Sequence, residues 1–120
     1  MGCCFMLVNI RDRNIIFLII EYCEKISLAV KRFGNDRNVF VNDVDYQSAC
    51  GMYVYQIGEL TIKLSDEFKE EVKTVPWREI KGMRNIFAHE YGEVDEARLW
   101  DTIQNDIPML KKILREIVQL

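Results

Sequence analysis

Arg84, Asn85, His89 and Tyr91 fall within eight consecutive residues and are the types from which a phosphodiester-cleaving site can be built. His89 is the only histidine in the chain. Its imidazole titrates near neutral pH, so it can take or give a proton in a transition state. Arginine's fixed fork of donors suits a phosphate on which negative charge is developing. RNA carries its own nucleophile, the 2′-OH, so a proton carrier and a cation suffice and no metal is required. Arg78 and Lys81 would add positive charge nearby. A plainer reading stands beside this one. A histidine near a helix C-terminus interacts with the negative end of the dipole, worth about 0.3–1 kcal/mol, and Arg84 and Tyr91 would then be ordinary amphipathic flankers.

The element carrying these residues is predicted to be a helix. Pro76-Trp77 opens it, with proline at the first helical position, where its missing N–H has no partner to lose. Ile80, Met83 and Phe87 mark its core side, and Gly92 ends it after Tyr91. On a wheel of about 100° per residue, Arg84 and Tyr91 lie at the edge of that stripe. Asn85 and His89 share the opposite face with Arg78 and Gly82. Arg84 and His89 are about 140° apart on one helix, so two protomers facing one cleft would bring them together more easily than one chain.

Other helices must hold this one. Asn9 with Asp12 reads as a capped start, followed by Ile15, Ile19, Tyr22, Ile26, Ala29 and Phe33 at spacings of four and three. Ile16, Cys23 and Val30 form a second stripe, and Gly34 is expected to close the helix in the left-handed conformation. Residues 35–41 read as a polar connector carrying Phe40. Asn42 or Asp43 can cap the next helix, whose stripe is Tyr46, Cys50, Tyr53, Ile57, Leu60 and Leu64. Gly51 and Gly58 inside it each cost up to about 1 kcal/mol against alanine, which a close backbone contact would offset. Ser65 can start a short helix through Val72. Asp95 caps the last helix, with Leu99, Ile103, Ile107, Leu110, Leu114 and Ile117 on one face and a kink or restart expected at Pro108. No period-2 alternation or hairpin turn signal occurs. The expectation is all-α: an antiparallel up-and-down bundle of four or five helices. Trp77 and Trp100 are expected to pack, Met52, Met83 and Met109 to fill core gaps, and the charged run 69–73 to be solvated.

The bulk numbers fit one such domain. A chain of 120 residues with 49% hydrophobic and 29% charged residues can bury one core. Its net charge of −3 disfavours general adhesion to nucleic acid, so any such site is a local basic patch or is completed by a second copy. Cys3, Cys4, Cys23 and Cys50 show no C-x-x-C pair and no disulfide framework, which points to a reduced cytoplasmic setting. Zinc on Cys3, Cys4 and His89 lacks the usual ligand spacing, and no metal or other cofactor is expected. No apolar run reaches the roughly 20 residues that span a bilayer, so no membrane partner is expected. Gly2 is followed at position 6 by Met where myristoylation favours Ser or Thr. Residues 1–8 read as an extension, with Met6 a second candidate start, and residues 9–120 as the domain.

Arg84-x4-His89-x-Tyr91, with Asn85 after the arginine, resembles the R-x4-H-x-Y motif of the HepT-like toxins in the HEPN superfamily. The likeness extends along the chain. It includes Asn9-Ile10-Arg11-Asp12, then Ile57-Gly58-Glu59, where the family has I-G-E-A and Leu60 stands for the alanine. It continues in the run from Pro76-Trp77 to Arg84-Asn85, and in Trp100 followed by Asp106-Ile107-Pro108. Asn9 to Leu120 is covered. The resemblance implies a HEPN-like bundle that pairs as a homodimer, with higher oligomers open, and a metal-independent endoribonuclease. Arg84 and His89 would be its catalytic pair, supported by Asn85, and Gly82 would permit close approach across the interface. It also implies a toxin of a toxin–antitoxin pair, acting on RNA such as tRNA or mRNA. A small nucleotidyltransferase antitoxin would silence it by transferring AMP to Tyr91. Glu59 is given no catalytic role. The alternative is a non-catalytic helical module that binds nucleotides or the nucleotidyltransferase.

Overall fold

Asn9 begins the first helix as expected: its side-chain oxygen accepts the Asp12 N–H at 2.7 Å. In the computed structural model, which describes residues 8–84 and 95–119, that helix, α1, spans Ile10–Phe33. Both stripes turn inward. Ile15, Ile16, Ile19, Cys23, Ile26 and Ala29 are buried, and Ile20 joins them. Gly34 closes the helix with its N–H on the Val30 carbonyl, at φ 119° and ψ 131°. The positive φ is the feature that needs glycine, but the ψ is extended, so the expected left-handed cap is replaced by a sharper exit.

That exit leads into a helix rather than the expected connector. α2 spans Arg37–Val41, capped by Asp36, and drives Phe40 fully into the core. Phe40 meets Tyr46 edge-on at 4.8 Å and Trp100 at 5.2 Å, while Phe33 stacks on Tyr46 at 4.9 Å. The Tyr46 hydroxyl donates to the Gly34 carbonyl, and the buried Gln47 amide donates to the Phe40 carbonyl. One aromatic cluster thus closes this end of the molecule, and Trp100 packs as expected.

Asp43 caps α3, Val44–Lys63, which lies along α1. At its far end Ser65 caps α4, Asp66–Glu71. Asp12, in sequence only a first-turn acid, is buried and accepts from the Ser65 N–H, the Ser65 hydroxyl and the Asn9 amide. A single carboxylate therefore joins the start of α1 to the start of α4.

α5 spans Trp77–Gly82. Pro76 is its N-cap residue rather than its first helical residue, and the Trp77 indole N–H donates to the Val72 carbonyl at 2.9 Å. The helix expected to run through Met83 tightens there, with Met83 keeping right-handed helical dihedrals at φ −61° and ψ −29°. The Met83 N–H turns back to Ile80, one residue short of the α-helical partner, after Gly82 and as Met83 enters the core. Arg84 is helical again.

Asp95 caps α6, Glu96–Asp101. A π-helical turn, Thr102–Asp106, links it to α7, Ile107–Val118. Pro108 explains the restart: it has no N–H to bond in an α-helical ladder, and the Ile107 N–H reaches back to Thr102 instead. Leu99, Ile103, Ile107, Leu110, Leu114 and Ile117 are all buried. α7 packs on α1, and α5 and α6 on α3. The architecture is an all-α bundle, with no strand among the described residues. Of the three methionines expected to fill the core, Met83 is buried, but Met52 and Met109 are exposed at 43% and 36%. Both sit on outward helix faces, Met109 beside the inward-facing Leu110.

Candidate active site

Glycine at position 58 brings α3 against the backbone of Arg84. A Cβ built there would lie 3.0 Å from the Arg84 Cβ and 3.1 Å from its backbone N. No ordinary side chain fits without moving one segment. The expectation that a helix glycine marks a close approach is met at Gly58, and the neighbour is the candidate catalytic arginine. Gly82 shows no such crowding among the described residues, where a Cβ at that position would meet the Arg98 guanidinium at 3.8 Å.

The next residue of α3 holds the other end of the same side chain. Glu59 Oε2 lies 3.2 Å from Arg84 Nε, with the two side chains 32% and 40% exposed. An ion pair this open contributes about 0–1 kcal/mol to folding, too little for stability alone to explain it. The close approach is to Nε, the inner nitrogen of the guanidinium, whose outer nitrogens are the two terminal amino groups. Those are the donors that grip a phosphate.

Arg78 and Lys81 are placed at the surface, both exposed. They line a surface hollow of about 250 Å³ together with Lys69, Trp77, Thr61 and Ile62. Ile62 lies three residues after Glu59 on α3, so the hollow begins one turn from the Glu59–Arg84 pair. In sequence, Lys69 is only part of a charged run expected to be solvated. Its other charged members are exposed, Lys73 and Glu70 at 75% and 77%, whereas Val72 is buried in the core. The fold adds Lys69 to Arg78 and Lys81 because α4 and α5 both border this hollow, a neighbourhood that spacing along the chain does not encode.

Acidic groups border α5 on another side. Burial raises the Asp106 carboxyl above its ordinary value, Asp101 and Glu79 raise it further, and Arg98 opposes them. The two described cysteines offer no nucleophile. Burial pushes the Cys23 thiol up to about 12, opposed by Lys111 and helped by Glu24, and burial pushes Cys50 up to about 12. Neither forms a thiolate near neutral pH, and thiolate is the reactive form. Among the described residues no group of three metal-ligating side chains comes together, and no helix is long and apolar enough to cross a membrane.

Of the residues singled out in the sequence, Arg84, Arg78, Lys81 and Gly82 are placed by the structure. Asn85, His89 and Tyr91 lie outside the described residues, as do Cys3 and Cys4. Glu59 is the residue whose part sequence reasoning misses. Its signal is the Ile57-Gly58-Glu59 stretch, but its pairing with Arg84 is a contact between distant segments.

Comparison with known proteins shows a family. Residues 19–117 match the family model described as Ribonuclease HepT-like. A protein designated an RNase in Caldanaerobacter subterraneus subsp. tengcongensis is 39% identical over 101 residues, covering 84% of this chain and 88% of its own. Another with an RNase designation, in Methanocaldococcus jannaschii, is 35% identical over 77 residues, covering 64% of this chain and 71% of its own. A protein of Thermococcus cleftensis designated a HepT ribonuclease is 42% identical over 72 residues, covering 60% and 66%. No solved structure matches the chain. The matched span contains α3, α5, the Gly58–Glu59 seat and the whole Arg84–Tyr91 motif, and the chain belongs to the HepT-like ribonuclease family.

Proposed function

We propose that the protein is a metal-independent endoribonuclease, the toxin of a toxin–antitoxin pair, with Arg84 and His89 as its catalytic groups. The observation that carries this reading is the seating of Arg84: its root is packed on Gly58, its Nε lies 3.2 Å from the Glu59 carboxylate, and its side chain is 40% exposed. An arginine anchored at both ends and open to solvent is preorganised for an anion, and preorganised donors cost little reorganisation at the moment of reaction.

In the reaction, a ribose 2′-hydroxyl attacks the adjacent phosphorus and the bond to the 5′-oxygen of the next nucleotide breaks. His89 exchanges protons with these oxygens, and Asn85 supports the phosphate. The Arg84 amino groups carry the charge that gathers on the non-bridging oxygens. Lys69, Arg78 and Lys81 draw the flanking strand along the hollow, which reconciles RNA binding with a net charge of −3. Two protomers face one cleft, so that Arg84 and His89 can act on one phosphate.

Tyr91 is the regulatory residue. It lies two residues from His89 and seven from Arg84. Adenylate on its hydroxyl would place an anionic phosphate and a base beside the site, where Arg84 would pair with it in place of RNA. A small nucleotidyltransferase is the proposed donor enzyme: the Tyr91 oxygen attacks the α-phosphorus of ATP, the α–β phosphoanhydride bond breaks, and pyrophosphate leaves. Incubation with that enzyme and ATP should add adenylate mass to peptides containing Tyr91 and stop RNA cleavage. The Tyr91→Phe variant should keep cleaving after the same treatment. Adenylate found only on other peptides, or full cleavage by the adenylylated protein, would overturn this role.

A further inference from the structure

We propose that the hollow beside α5 is a subsite for one unpaired nucleotide of the RNA, whose base stacks on Trp77 while the adjoining phosphates meet Lys69, Arg78 and Lys81. The proposal rests on the ribonuclease reading above and adds to it a demand for single-stranded substrate. The hollow measures about 250 Å³, and its lining joins two apolar residues, Ile62 and Trp77, to three cations, with no carboxylate among them. None of the three cations makes an ion pair among the described residues. A second basic hollow, of about 410 Å³, shows the difference. It is lined by Lys111, Lys112 and Arg115, with Glu116 beside them and no described aromatic residue. Glu24 takes up two of those cations, Lys111 at 3.0 Å and Arg115 at 2.9 Å. Positive charge there is compensated within the fold, whereas beside α5 it is open to a phosphate.

Trp77 supplies a fixed surface. Its indole N–H donates to the Val72 carbonyl at 2.9 Å, and its ring meets that of Phe68 at 5.9 Å, inclined by 61°. The residue is half-buried, so part of it stays open where it borders the hollow. A ring already held in place loses little freedom when a base settles on it. Every base has a π-face, so stacking of this kind accepts any sequence. It does require an unpaired base, which a duplex does not offer. Thr61 lines the same hollow, and its hydroxyl donates to the carbonyl of Gly58 at 2.8 Å. The subsite therefore lies within one turn of α3 from the glycine that seats Arg84, and one strand can occupy both.

Tryptophan fluorescence tests this on the full chain without turnover. Trp100→Phe leaves Trp77 as the remaining tryptophan of the two. A single-stranded 2′-O-methyl RNA, which has no free nucleophile, should quench its emission. The same strand annealed to its complement should not. Quenching by the duplex as strong as by the single strand, or by neither, would overturn the subsite. A lone nucleotide lacks the neighbouring contacts, so AMP should bind at least about 10²-fold more weakly than the strand. AMP binding as tightly would overturn the assignment to a strand.

Two substitutions separate stacking from packing. Trp77→Phe and Trp77→Leu both lose the bond to Val72, but only the first keeps an aromatic face. Trp77→Phe should stay within about threefold of the wild-type Kd for the strand, and Trp77→Leu should weaken it about tenfold. Equal Kd values for the two would overturn stacking. Lys69→Ala and Lys81→Ala should each lower the slope of log Kd against log salt by about 0.7. An unchanged slope would overturn the phosphate contacts. A chain that shows the quench yet cleaves no RNA would support the subsite and sink the ribonuclease reading. Cleavage without any quench would do the reverse.

Discussion

Asp12 and Glu59 are both carboxylates that reach from a long helix to another segment, yet their surroundings assign them different work. Asp12 is 1% exposed and accepts from neutral donors, two on Ser65 and one on Asn9. Every partner belongs to a helix start, so the contact fixes where α1 and α4 begin. Glu59 is 32% exposed at its side chain and meets one charged partner, Arg84. Burying a charge is costly unless it is fully hydrogen-bonded, so Asp12 is tied to the fold's integrity. An open ion pair adds little to folding, so loss of Glu59 should cost the fold little. Burial and partner type, more than charge, set how much of the fold each carboxylate carries.

A crossed pair of substitutions would break this comparison if it is wrong. Arg84→Ala should cost about 10²–10³-fold in RNA cleavage, the range for losing one preorganised donor, while its urea midpoint stays near wild type. Asp12→Ala should do the reverse, lowering stability by about 2–3 kcal/mol because Ser65 loses its buried acceptor, with the folded fraction still cleaving RNA. Unfolding curves beside cleavage rates decide both. Gly58→Ala sits between the two. Helix propensity favours alanine by up to about 1 kcal/mol, but overpacking against the Arg84 backbone costs about 1–3 kcal/mol. It should therefore destabilise modestly and also slow cleavage, showing that fold and site share this contact.

The smallest effect concerns the acidic border of α5. The folded Asp106 carboxyl titrates above its ordinary 3.8, first through burial and then through Asp101 and Glu79. A raised carboxylic acid disfavours the native state once it ionises. The penalty is present above the folded value and absent below 3.8. Asp106→Asn should thus raise the melting temperature slightly at neutral pH, and the gain should vanish as pH falls toward that ordinary value. A gain independent of pH would mean that charge is not its cause.

Much of the frame is legible in the sequence because it is periodic and local. The stripes on α1, α3 and α7, the caps at Asn9, Asp43, Ser65 and Asp95, and the restart at Pro108 each depend on residues within a few positions. Features set by tertiary contact are not legible. Residues 35–41 look polar, but Phe40 finds a pocket against Tyr46 and Trp100 and pulls α2 into being. Met52 looks like core filler by type, yet its helix face has no neighbour covering it among the described residues. In the site, Arg84 stands out by motif. Its seat on Gly58 and Glu59 does not, because the pairing joins segments 25 residues apart. Lys69 joins Arg78 and Lys81 for the same reason.

The central claim is metal-independent RNA cleavage by Arg84 and His89. Its most direct test is cleavage of single-stranded RNA and tRNA by the purified protein in excess EDTA, with folded Arg84→Ala and His89→Ala variants alongside. The account predicts cleavage by wild type, undiminished by the chelator, and loss in both variants. Wild-type activity that disappears with EDTA, or full cleavage by His89→Ala, would contradict it.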